Sequence, residues 1–135
     1  MFENLKKLEL NSEMTAELTL YQVEGEPVLI LAVANEANKP YFNELLRVSR
    51  KNRGRSTNVL SSATVKENRN NDRELYPRFI LRGWRNVKDT KGNPVEANLE
   101  NFTEFCAVVP DWVFDEIRTF AMDIQNFLPT SVDAE

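Results

Sequence analysis

Residues 14–34, MTAELTLYQVEGEPVLILAVA, decide the fold class. Met14, Ala16, Leu18 and Leu20 alternate with Thr15, Glu17, Thr19 and Tyr21. A period of two puts one set on each face of a strand, so one face is apolar and the other polar. Glu24-Gly25-Glu26 reads as a turn. Pro27 to Ala34 is apolar on both faces, as in a more buried strand. Together they predict an antiparallel hairpin over 14–34.

Beyond the hairpin the period changes. Asn38 can cap a helix over 40–53 that takes Pro40 in its first turn and stops at Gly54. Tyr41, Leu45 and Val48 sit on it at helical spacing. Arg55 to Ser62 reads as a loop. Leu75, Tyr76, Phe79, Ile80, Gly83 and Trp84 are three and four apart, which predicts a helix over 63–85. Pro77 lacks a donor, so the helix either kinks there or begins near Asp72, and the polar stretch Lys66 to Asn71 reads as a poorly packed or exposed lead-in. Asp89 to Pro94 is turn chemistry, a tight loop or small hairpin between Val87 and Val95. Asn98 or Asn101 then caps a helix over 99–109. After Pro110 comes the strongest pattern, a helix over 111–128 with Val113, Ile117, Phe120, Ile124 and Phe127 on one side. The sum is one α+β domain over 1–135, a hairpin followed by mostly helices.

A chain of 135 residues, 41% hydrophobic and 28% charged, suits a single core. It has no histidine, which removes the commonest general base and metal ligand. It has one cysteine and four scattered glycines, leaving no thiolate cluster and no phosphate-cradling loop. The expectation is a non-enzyme with no cofactor and no metal. Cys106, inside Phe105-Cys106-Ala107-Val108-Val109 with no histidine to activate it, reads as structural. Asp111, Asp115 and Glu116 suit a helix start, where the dipole favours acids, better than a cation loop. The longest apolar run, Val28 to Ala34, is too short to span a bilayer. The N-terminus lacks the unbroken apolar stretch of a signal peptide, so a cytoplasmic protein without membrane contact is expected.

Charge is segregated. Residues 1–36 carry seven acids and two bases, residues 37–95 fourteen bases and five acids, residues 96–135 nine acids and one base. Arg47, Arg50, Lys51, Arg53 and Arg55 form a basic run that could touch nucleic acid. Cations also suit a helix C-terminus, and the run could meet the acidic C-terminal segment within the fold or between subunits. No aromatic stands between Phe42 and Tyr76 to stack on bases, and the chain is acidic overall, so nucleic acid is disfavoured. Trp84 and Trp112 read as partly buried core, with interface anchoring as the alternative.

Several of these pieces occur in a familiar order: Asn38-Lys39-Pro40-Tyr41 with Leu45-Leu46-Arg47, then Ile80-Leu81-Arg82-Gly83-Trp84, Val87 and Asp89. Gly92-Asn93-Pro94-Val95, Glu100-Asn101, Pro110-Asp111-Trp112 and Asn126-Phe127 follow. Over residues 14–128 this order resembles the tail assembly chaperones of long-tailed, siphovirus-like bacteriophages. The resemblance implies a non-enzymatic factor in the cytoplasm of the infected host. Such a factor coats the tape measure protein, keeps it soluble, recruits tail tube subunits and is absent from the virion. Self-association along the client would follow from the charge segregation, because head-to-tail contacts generate filaments when they do not close. Client contact is expected at Trp112, Phe114, Ile117 and Phe120, then Tyr41 and Leu45, with a core role as the alternative for all six. The competing functions are a structural tail or head-tail connector protein and a small nucleic-acid-binding regulator using Arg47 to Arg55.

Overall fold

The computed structural model describes residues 1–3, 5, 9–52 and 62–128. The hairpin forms as the alternation requires. Strand β1 (Thr15–Thr19) pairs antiparallel with β2 (Val28–Ala32), Leu18 opposite Leu29 and Glu17 opposite Ile30. Gly25 sits at φ +86° in the turn, a conformation glycine adopts without steric penalty. Strand β2 is apolar on both faces because it is central, with β1 on one edge and β3 (Leu81–Arg85) on the other.

Strand β3 corrects the expected helix over 63–85. Helix α1 runs Lys39–Asn52, and α2 runs Ser62–Phe79 with Pro77 in its last turn. The chain then leaves the helix: the Ile80 amide still donates to Tyr76, but the Ile80 carbonyl accepts from Ala32 of the sheet. A bulge explains why the spacing misleads. Leu81 pairs with Leu31 and Gly83 with Ile30, so Arg82 is an extra residue. It allows Leu81 and Trp84, three apart, to share the core face, a spacing that otherwise marks a helix. Gly83 lies close over Ile30; a Cβ there would come within 3.3 Å of Ile30 Cδ1.

The turn over 87–95 is a small hairpin, with a bridge between Lys88 and Pro94. Helix α3 (Leu99–Val108) starts at Asn98, whose side chain accepts from the Asn101 amide at 2.9 Å. Asn101 is therefore not the cap; its own amide group donates to the Glu96 carbonyl. Helix α4 is shorter than the pattern predicts, Asp111–Met122. Asp123 ends it by accepting from the Gln125 amide and opening a 3-10 turn over Ile124–Asn126. The turn folds Phe127 back edge-on to Phe120, so its periodicity survives without the helix.

The core lies between the sheet and the helices. Leu29, Leu31, Tyr76, Ile80, Phe114 and Ile117 have essentially no exposed surface. Asn38 does more than cap α1. Fully buried, its side-chain nitrogen donates to Val33 and Phe79 carbonyls at 3.0 and 3.2 Å, and its oxygen accepts from the Tyr41 amide at 3.4 Å. It ties the exit of β2 and the end of α2 to the start of α1. The Ala34 amide donates to the Ala121 carbonyl at 2.8 Å, fastening the chain after β2 to the last turn of α4.

Candidate functional site

Two surfaces carry chemistry, and the first is an ionic seam joining α2 to α4. Arg69 donates to both Asp115 oxygens, Nε at 3.0 Å and Nη2 at 2.9 Å, and lies 3.4 Å from Asp111. Arg73 donates to Asp111 at 2.7 Å and to the Cys106 carbonyl at 2.6 Å, a helix-end carbonyl with no partner inside α3. The Arg73 guanidinium also stacks over Phe114. The expected exposed lead-in at Lys66 to Asn71 thus contributes Arg69 to a packed interface. Asp111 and Asp115 are engaged by arginines beyond any effect of the helix dipole.

Deeper in the seam, Asp72 is 4% exposed. It accepts from the Tyr41 hydroxyl and from Arg118 Nε, each at 2.8 Å. Burial pushes its carboxyl up, opposed by the hydrogen bonds from Tyr41 and Arg118 that favour the carboxylate. The triad floors a shallow cleft of about 280 Å³ walled by Phe42, Leu45 and Met122. Tyr76 packs edge-on to Tyr41 and tilted against Phe114, and its hydroxyl is buried with no hydrogen-bond partner among the described residues. Cys106 is fully buried and burial pushes its thiol up to about 12, which keeps it protonated and unreactive.

The second surface is a groove of about 420 Å³ between α3 and the 87–95 hairpin. Trp84, Phe105, Val108 and Val95 make its apolar lining, with Lys88 and Asp89 on the hairpin side and Glu104 on α3. Trp84 is fixed: its Nε1 donates to the Val95 carbonyl at 2.9 Å, and its ring meets Phe102 and Phe105 edge-on. The hairpin wall is fixed too. Asp89 accepts from the Lys91 and Asn93 amides, and Gly92 takes the left-handed φ of +84°. Val108 is 70% exposed and Trp112, four residues on, 53%.

The residues expected at the client surface separate. Phe114 and Ile117 are fully buried and Tyr41 nearly so, at the base of the cleft, which is the core alternative expected for them. Leu45 and Phe120 are half-buried against the core. Trp112 is exposed, contrary to the core reading. In the basic run, Arg47 pairs with Glu44 of its own helix and Arg50 is exposed. Lys51 lies in the last turn of α1, and Arg53 and Arg55 fall outside the described residues. Among the described residues, the arginines outside the C-terminal segment that meet its acids are Arg69 and Arg73 of α2. Their spacing of four, matched by Asp111 and Asp115, is the signal that could have found them. Among the described residues no group of histidine, cysteine, aspartate and glutamate side chains could hold a metal, and no helix is long and apolar enough to cross a membrane.

The model of the YdaY prophage protein family matches residues 35–134, which takes in every helix, β3 and the groove. The chain belongs to this family. It is thus a phage-derived protein. Strands β1 and β2 precede the matched region. No curated protein and no solved structure matches the chain.

Proposed function

We propose that this chain is a tail assembly chaperone of a long-tailed phage, binding the tape measure protein and keeping its apolar helical segments soluble. The observation that carries the reading is the open groove lined by Trp84 and Phe105. A client held and later released needs a preformed apolar site with an adaptable edge, and a non-enzymatic one suffices. Prophage family membership and the order of sequence motifs from Asn38 to Phe127 support the same reading. On this view the protein acts in the cytoplasm of the infected host, recruits tail tube subunits, and self-associates along the client.

Co-expression with the longest neighbouring open reading frame of the phage genome tests it. The expected result is a soluble complex of the two proteins. If the long protein stays insoluble and no complex forms, the reading fails. Mass spectrometry of purified virions adds a second arm. The chaperone reading expects this chain to be absent there, and a multicopy presence would make it a structural tail or connector protein instead.

A further inference from the structure

Asp111 and Asp115 lie four apart on α4 and are met by Arg69 and Arg73, four apart on α2. Glu100 and Glu104 repeat the acidic half of this ladder on α3. Both are exposed, and among the described residues neither has an ion-pair partner. Glu100 is in the first turn, where the helix dipole favours an acid; Glu104, one turn later, is beyond that effect. Glu104 is the rim of the groove, and Val108, one more turn along the same line, is its exposed apolar end. Glu96 adds a third exposed carboxylate beside the start of α3, with no ion pair among the described residues. The hairpin side of the groove carries Lys88 and Asp89, one charge of each sign, so the unbalanced charge lies on the α3 side.

We propose that this groove docks an amphipathic helix whose apolar stripe is flanked, on the side facing α3, by two lysines or arginines four residues apart. The pair completes with Glu100 and Glu104 the ladder that Arg69 and Arg73 make with Asp111 and Asp115. The apolar stripe covers Trp84, Phe105 and Val108, and about 420 Å³ has room for the neighbouring side chains a helix projects at i and i+4. The identity of that helix as a client segment rests on the chaperone reading, whereas the preference for a basic flank does not.

Two fluorescein-labelled peptides of about 18 residues, long enough to hold a helix, serve as probes. They share one leucine stripe and differ only in carrying a lysine pair or a glutamate pair beside it. Titrated with the full chain at low salt, the lysine peptide is expected to bind about tenfold tighter or more, and to weaken as salt rises. The double variant Glu100→Arg, Glu104→Arg should reverse that preference. Glu9→Arg with Glu13→Arg changes net charge equally at another exposed pair four residues apart and should not. Val108→Asp should weaken the lysine peptide about tenfold with an unchanged thermal midpoint, since that side chain is 70% exposed. The Trp84 indole NMR resonance should move on binding, and the Trp112 resonance should not.

Equal binding of the two peptides, no reversal in the Glu100/Glu104 variant, reversal in the Glu9/Glu13 variant, or a shift confined to Trp112 overturns the proposal. Co-expression separates it from the chaperone reading. A client still held soluble by the Glu100/Glu104 variant keeps the chaperone reading and overturns this groove as the client's seat. Reversed peptide preference, with no client solubilised by the unaltered chain, keeps the groove and overturns the chaperone reading.

Discussion

Helices α3 and α4 both display two carboxylates four residues apart, and they differ in what answers them. On α4, Asp111 and Asp115 face Arg69 and Arg73, and behind them Val113, Phe114 and Ile117 are buried. On α3, Glu100 and Glu104 make no ion pair among the described residues, and Glu104 lines an open groove. The same local pattern is thus spent on internal docking in one helix and left available in the other. Charge in a sequence becomes informative about partners only after the intramolecular pairs are subtracted.

Substitution separates the two helices most sharply at Phe114. Phe114→Asp puts a carboxylate into a fully buried ring site, and loss of the cooperative thermal transition is expected. Phe114→Ala, a milder change, should cost about 3–5 kcal/mol in urea unfolding. Next is Asp72→Ala, which leaves Arg118 and the Tyr41 hydroxyl without their acceptor. A loss of about 3 kcal/mol is expected from the urea midpoint; a loss below about 1 kcal/mol would mean the seam contributes little to docking.

Tyr76→Phe runs the other way. Removing a buried hydroxyl that has no partner among the described residues should be neutral or raise stability by about 1 kcal/mol, read from the same midpoint. A clear loss would show that this hydroxyl has a partner in solution. The acid limb of the pH profile offers a smaller test. Arg69's hydrogen bond holds the Asp115 carboxyl below its ordinary 3.8. A depressed folded-state value gives stability that is complete above the unfolded value and lost as pH falls through the folded one. The thermal midpoint should therefore drop below about pH 4, and Asp115→Asn should flatten part of that drop. The effect is modest because Asp115 is 41% exposed and its charge partly screened. Smallest of all is Glu100→Arg with Glu104→Arg, expected to leave stability within about 0.5 kcal/mol. A larger change would mean that α3's acids are structural as well.

Much of this contrast was legible in the sequence where one periodicity governed one element. The hairpin, α1, α3 and the entry to α4 follow from alternation, caps and helical spacing. Two places resisted for definable reasons. The Arg82 bulge changes strand parity, so Leu81 and Trp84 imitate a helix face, and no local signal distinguishes the two. Asp123 ends α4 by capping a new turn while Phe127 keeps the helical count by folding back on Phe120. The site was harder still. Trp112 against Phe114 is a two-residue difference that puts one ring in solvent and the other in the core, and it depends on where α2 lies. The polar stretch before Asp72 looked solvated because its partners are more than forty residues away, on α4.

The hydrogen bond from Ala34 to Ala121 has a consequence for timing. The donor lies in the chain's first third and the acceptor in its last helix, yet they share one exchangeable proton. Ala34 is itself 5% exposed, so exchange of that amide requires its hydrogen bond to the α4 end to open. Its deuterium uptake therefore reports separation of the chain after β2 from the last turn of α4. Any opening of the α4 end would register there as faster labelling at Ala34.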